Sequence, residues 1–186
     1  PREIMSTYRE QREPFAVTGS PALPAGLNLG LQLHWAEICH SDAMANATLV
    51  PWAQYWAWFL TGKAVSEVSS LGCHSDLWLP AQGRFSAMAE NRGWARKFAP
   101  LAKAGDVVGG LKDSIAMASG LRAGIPVLAG LHDSNAALLA ARGYQEIARE
   151  DATILSTGTW FIAMRLAKDA MGMDSLPEGR DCLVNV

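Results

Sequence analysis

Apolar positions along this chain come in short bursts separated by Gly- and Pro-rich breaks. Residues 1–26 mix Pro, Arg, Glu and Gly with little periodicity, and Pro21, Pro24 and Gly26 mark the end of that stretch as loop. From Leu27 to about His40, the recurrence of Leu29, Leu31, Leu33, Trp35 and Ile38 predicts a helix. The next burst is sharper. Pro51 suits the first position of a helix, Trp52, Tyr55, Trp56 and Phe59 recur at helical spacing, and Gly62 supplies a left-handed stop. Such an aromatic stripe reads as core packing rather than as a cofactor box. The run from Trp52 to Leu60 is interrupted by Gln54 and bounded by Pro51 and Gly62, short of the ~20 apolar residues of a membrane span.

Residues 64–80 read as loop and short extended pieces. Phe85 to Asn91 predicts a short helix closed near Gly93, and Trp94 to Ala104 a second one. Asp113 can cap a helix through Ile115 and Met117 to Gly120, and the apolar segment Gly124–Gly130 predicts a strand bounded by glycines. A polar turn, Leu131-His132-Asp133-Ser134-Asn135, then leads into Ala136–Ala141, the best helix-forming stretch, which ends at Arg142-Gly143. A charged segment, Gln145–Asp151, precedes two strands, 152–156 and 160–164, hinged at Thr157-Gly158-Thr159. This alternation is that of an α/β protein, and it puts His132, Asp133 and Ser134 at the carboxyl end of a strand, where such proteins collect ligands.

Composition narrows the function. Over 186 residues, 16 Lys+Arg against 18 Asp+Glu give a net charge of −2, which excludes a basic nucleic-acid face as the main function. With 49% hydrophobic and 18% charged residues a packed core is expected and disorder is not. Three dispersed cysteines, Cys39, Cys73 and Cys182, imply no disulfide framework, and a reducing, cytoplasmic setting is expected. A start at Pro1 and an end at Leu183-Val184-Asn185-Val186, like a strand cut short, lead to the expectation of a piece of a longer protein.

Three groups of residues could carry chemistry. Asp133 at a strand-to-helix turn has two readings: an N-cap for exposed helix amides, or a general base that takes the proton of a substrate hydroxyl as its oxygen attacks an electrophile. In the second, His132 and Ser134 are hydroxyl-binding neighbours, since consecutive residues do not adopt a nucleophile–base–orienter geometry and no G-x-S-x-G elbow occurs. Ser156-Thr157-Gly158-Thr159 is either a simple turn or a small-residue loop that lets amides and hydroxyls approach a phosphate. The couples Cys39-His40 and Cys73-His74, with Asp76 nearby, offer zinc-type donors at the wrong spacing, so no metal site is assigned and buried thiols are expected in both.

The combination resembles the FGGY family of carbohydrate kinases. The resemblance rests on Thr18-Gly19-Ser20-Pro21, Phe59–Glu67 with its Leu60-Thr61-Gly62 core, Gly120–Val127, Gly130–Ala137 and Leu155–Trp160, in family order over nearly the whole chain. The His-Asp and Ser-x-Gly-Thr-Trp forms are most similar to the rhamnulokinase and fuculokinase side of the family. The resemblance implies an RNase-H-like, actin-like ATPase fold of two domains with sugar and ATP meeting between them. It implies a fragment spanning the domain junction, with residues 1–143 the later part of the sugar-binding domain including an interdomain helix, and 144–186 the start of the nucleotide-binding domain.

Asp133 falls on the family's catalytic base, His132 and Ser134 on sugar contacts, and Gly158 and Thr159 on the turn that contacts ATP phosphate. The implied reaction is ATP-dependent phosphorylation of a ketose or polyol hydroxyl, with ATP and Mg²⁺ as cofactors and no nucleic-acid or membrane partner. The family's Asp-x-Gly-Thr/Ser turn and its late adenosine-binding segment do not occur in these residues, so the segment alone is expected to be inactive. A non-catalytic sugar-binding or regulatory relative is the alternative, and a metal-dependent hydrolase using the Cys-His couples a more distant one. His74, Asp76 and Trp78 either border the sugar pocket or form a surface loop, and the tryptophan-rich helix suits a core or the interface of a homo-oligomer.

Overall fold

A computed structural model of the chain describes residues 2–157 and 161–166. It divides after Leu131 into two compact units. In the first, α1 (Arg2–Arg9), α2 (Phe15–Thr18), α3 (Leu29–Cys39) and α4 (Ser41–Ala45) precede α5 (Trp52–Thr61) and α6 (Val68–Gly72). A two-residue strand pair, β1 (Trp78–Leu79) with β2 (Arg84–Phe85), leads into α7 (Ala87–Asn91). Then β3 (Val107–Gly110), α8 (Asp113–Ser119) and β4 (Pro126–Leu128) complete the unit, with β3 and β4 antiparallel. The second unit holds α9 (Asp133–Ala141), α10 (Gln145–Arg149) and the antiparallel pair β5 (Ala152–Thr157) and β6 (Phe161–Leu166), in register from Ala152↔Leu166 to Thr157↔Phe161. Among the described residues no helix is long and apolar enough to cross a membrane.

The core of the first unit gathers Tyr8 from α1, Leu31 and Leu33 from α3, and Leu77, Met88, Ala89 and Trp94 from the segment around α7. α1 and α3 close so tightly that a Cβ on Gly30 would lie 2.4 Å from the Tyr8 hydroxyl and 2.9 Å from the Ser75 carbonyl oxygen. A polar knot sits beside this core. Asp76, fully buried, accepts from the Tyr8 hydroxyl at 2.7 Å and pairs with Arg12 at 3.0 Å, while its backbone N–H donates to the Ser20 hydroxyl at 3.2 Å. Asn28 Nδ2 donates to the same hydroxyl and to the Pro21 carbonyl. The Thr18-Gly19-Ser20-Pro21 segment therefore serves as scaffold: Gly19 closes α2 at φ 63°, and Thr18 and Ser20 are buried.

Several sequence expectations change. Pro51 is the residue preceding the first turn of α5 rather than its first member, and the Gly62 stop is in place at φ 83°. The aromatic stripe of α5 is not core: Trp52 is 73% exposed, Trp56, Trp58 and Phe59 are exposed too, and the buried positions are Gln54 and Ala57. The rings cover one another instead, with Trp52 stacked on Tyr55 at 5.4 Å and Trp56 edge-on to Phe59 at 5.9 Å. The helix expected over Trp94–Ala104 is absent. Pro100 has no N–H and disfavours helix at Ala99; residues 95–97 make a single turn, and beyond it Phe98 bridges to Leu49 and Leu101 to Ser66. Within 64–80, residues 68–72 are helical, started by buried Glu67, whose carboxylate accepts the Ser69 N–H at 3.0 Å. The charged stretch after Tyr144 likewise forms α10.

Candidate functional site

β4 ends at Leu128, and the chain passes Ala129, Gly130 and Leu131 before α9 begins at Asp133. Gly130 turns the backbone at φ 75°, a conformation a glycine adopts without strain. The strand end is anchored within the first unit: the Ala129 N–H donates to the Asp106 carbonyl and the Gly130 N–H to the Ala104 carbonyl, both at 3.0 Å. Gln54 Nε2 donates to the carbonyls of Ala129 and Gly130 at 3.2 and 3.1 Å. In the sequence Gln54 is an interruption in an apolar run, and a lone amide among aromatic residues is the one signal of this contact.

The second unit opens with the three predicted residues. His132 caps α9, its Nδ1 accepting the Ser134 N–H at 3.3 Å. Asp133 is the first residue of the helix, where exposed amides and the helix dipole favour negative charge. Its Oδ1 accepts the Ser134 N–H at 2.6 Å and the Ser134 hydroxyl at 3.3 Å, and lies 3.0 Å from His132 Nδ1. One imidazole nitrogen cannot both accept from Ser134 and donate to Asp133, so these are alternative states: unprotonated Nδ1 takes the amide, protonated Nδ1 takes the carboxylate.

Asp133 thus spends one carboxylate oxygen on the start of α9 and leaves the other open. Oδ1 is committed to the turn, Oδ2 meets no donor among the described residues, and the side chain is 90% exposed. A carboxylate whose one oxygen is fixed by a local amide while the other is open can orient toward a hydroxyl and take its proton.

Asp76 and Trp78 are fully buried members of the first unit, not a surface loop, and Asp76 is spent on Arg12 and Tyr8. His74 and Asp76 carry positive φ values of 52° and 62°, backbone that non-glycine residues adopt only when their surroundings hold it. Of the cysteines expected to be buried, Cys73 is and Cys39 is exposed at the end of α3. Among the described residues no group of three or more His, Cys, Asp or Glu side chains is arranged to hold a metal ion. Gly158 and Thr159, and Cys182, lie outside the described residues; Thr157 and Phe161, which flank the first two, pair across the β5–β6 ladder. A groove of about 360 Å³ lined by Ile4, Met5, Leu31, Gln32 and Trp35 carries no ionisable group.

The fold and these motifs define an actin-like sugar-kinase architecture. The chain belongs to the FGGY family of carbohydrate kinases: residues 5–140 match the FGGY family of carbohydrate kinases, N-terminal domain, and residues 149–186 match the carbohydrate kinase FGGY, C-terminal domain. It is similar to a solved carbohydrate kinase from Novosphingobium aromaticivorans, at 66% identity and a TM-score of 0.94 over 100% of this chain and 40% of that one. A xylulose kinase from Rhodospirillum rubrum shares the fold at 22% identity and a TM-score of 0.60, over 75% of this chain and 30% of its own. The L-fuculokinase of Escherichia coli K12 is 32% identical over 106 residues, which is 56% of this chain and 21% of that protein. The chain therefore spans about a fifth of the curated relatives it matches and two fifths of the Novosphingobium aromaticivorans kinase.

Proposed function

We propose that this chain is part of an ATP-dependent kinase of a ketose or polyol in which Asp133 is the general base. The observation that carries the reading is the Asp133 carboxylate in a chain of this family: one oxygen locked by Ser134, the other open, at the junction of strand end and helix start. In the reaction Oδ2 accepts the proton of one sugar hydroxyl while that oxygen forms a bond to the γ-phosphorus and the bond from phosphorus to the ADP oxygen breaks. His132 and Ser134 border the same carboxylate and bind neighbouring hydroxyls, Ser134 through its Oγ and His132 through its ring.

Phosphoryl transfer demands positioning and charge neutralisation more than covalent chemistry. Mg²⁺, which the family implies, neutralises phosphate charge when bound; the described residues provide no cluster to hold it, and none is assigned to it here. Gly158 and Thr159 are assigned to the nucleotide phosphate on the strength of the family motif, with β5 and β6 as their flanking strands. The division of the chain at 143/144 into a sugar-binding and a nucleotide-binding part is supported by family matches that end at 140 and resume at 149. The test is ADP release by the full-length protein across a panel of ketoses and polyols. Sugar-dependent turnover with at least one is expected, and its absence across the panel, with binding retained, turns the reading to a sugar-binding relative.

A further inference from the structure

We infer that Gln54 is a positioning residue for the turn that carries Asp133, an inference that rests on the kinase reading of that carboxylate. Gln54 is fully buried on α5, and its amide reaches across to the two carbonyls that follow β4, those of Ala129 and Gly130, at 3.2 and 3.1 Å. The N–H groups of the same two residues are held by the carbonyls of Asp106 and Ala104. At this one point both peptide edges are tied down, and only Leu131 and His132 separate it from Asp133.

Burying an amide is unfavourable unless its hydrogen bonds are made, and Gln54 makes them only at its donor end, since Oε1 has no partner among the described residues. The side chain is therefore matched to these two carbonyls rather than to its surroundings at large. Glu at this position has no donor and would set a carboxylate against two carbonyl oxygens, Met fills the space without donating, and Asn falls one methylene short. Proton transfer to Oδ2 depends on near-attack geometry, and misplacement by about 1 Å can cost on the order of 100-fold in rate.

The experiment compares Gln54→Met with Ala57→Gly, a helix-weakening control on the same buried face of α5, in the full-length protein. Two quantities are read: amide hydrogen exchange at residues 129 and 130, whose N–H groups are bonded in the clamp, and kcat for the sugar that the wild type phosphorylates, with the thermal midpoint of each variant as reference. Gln54→Met is expected to speed exchange at 129 and 130 and lower kcat, each about ten-fold or more, while Ala57→Gly at a similar thermal midpoint changes neither. Exchange and kcat in Gln54→Met equal to those of Ala57→Gly overturn the inference, and so does faster exchange with kcat unchanged. If Gln54→Met fails to fold, Gln54→Asn makes the same comparison. A wild-type protein that turns over no sugar refutes the kinase reading instead, and exchange alone then decides whether Gln54 holds the turn.

Discussion

Asp133 divides its carboxylate between a structural contact and an open oxygen. Its Oδ1 is an ordinary helix-start acceptor, and its Oδ2 remains available for chemistry. Other residues are committed wholly to structure, and their replacement should be felt as stability. Asp76→Asn removes the buried carboxylate that pairs with Arg12 and accepts from Tyr8, with an expected loss of about 3–5 kcal/mol in urea unfolding. His34 is buried, neither ring nitrogen has a hydrogen-bond partner among the described residues, and burial together with the nearby Arg92 charge holds its pKa below the ordinary value.

As pH falls through about 6.5 the unfolded chain takes up the proton first, so the His34 contribution is intact above that pH and lost below it. The urea midpoint should drop between pH 7.5 and 5.5, and His34→Gln should flatten part of that drop; an equal slope in the variant would assign it to other groups. Tyr8 works in the opposite range. Burial first, and then the Asp76 carboxylate, hold its phenol well above the usual pKa, so stability is lost as pH rises past about 10.

Among elements, those defined by punctuation were readable and those defined by pairing were not. Gly62, Gly93 and Gly120 stop α5, the turn after α7 and α8 where the sequence put them, all at positive φ. β3 escaped notice because Val107-Val108-Gly109-Gly110 has neither alternation nor bulk; it exists through its ladder to β4. Its glycines are needed there, since a Cβ on Gly110 would stand 2.9 Å from the Gly124 Cα. Gly110→Ala should therefore cost about 1–3 kcal/mol, readable as a lowered thermal midpoint. The inward face of α5 misled the reading for a related reason. Periodicity locates apolar residues, but here Gln54 turns inward because two strand-end carbonyls receive it, while the tryptophans stack on one another outside.

At the scale of the molecule, the motifs that identify the family are divided between scaffold and chemistry. Leu60-Thr61-Gly62 ends a helix and ties it to Lys112, whose N–H donates to the Leu60 carbonyl at 2.9 Å, and Thr18-Gly19-Ser20 packs under Asp76. Among the described residues of these motifs, it is Gly130–Asn135 that follows a strand end with a carboxylate. The strand–turn–helix order made that site legible, whereas the clamp by Gln54 was hidden because it joins residues 75 and 76 positions apart.

Replacing the proposed base, Asp133→Asn in the full-length protein, tests the sugar-kinase reading at the carboxylate on which it rests. Steady-state ADP release and calorimetric sugar binding are measured on the same preparation. A kcat lowered by about 10²–10⁴ with sugar affinity within a few-fold of wild type is expected; near-normal phosphorylation by the variant would mean that Asp133 is not the base.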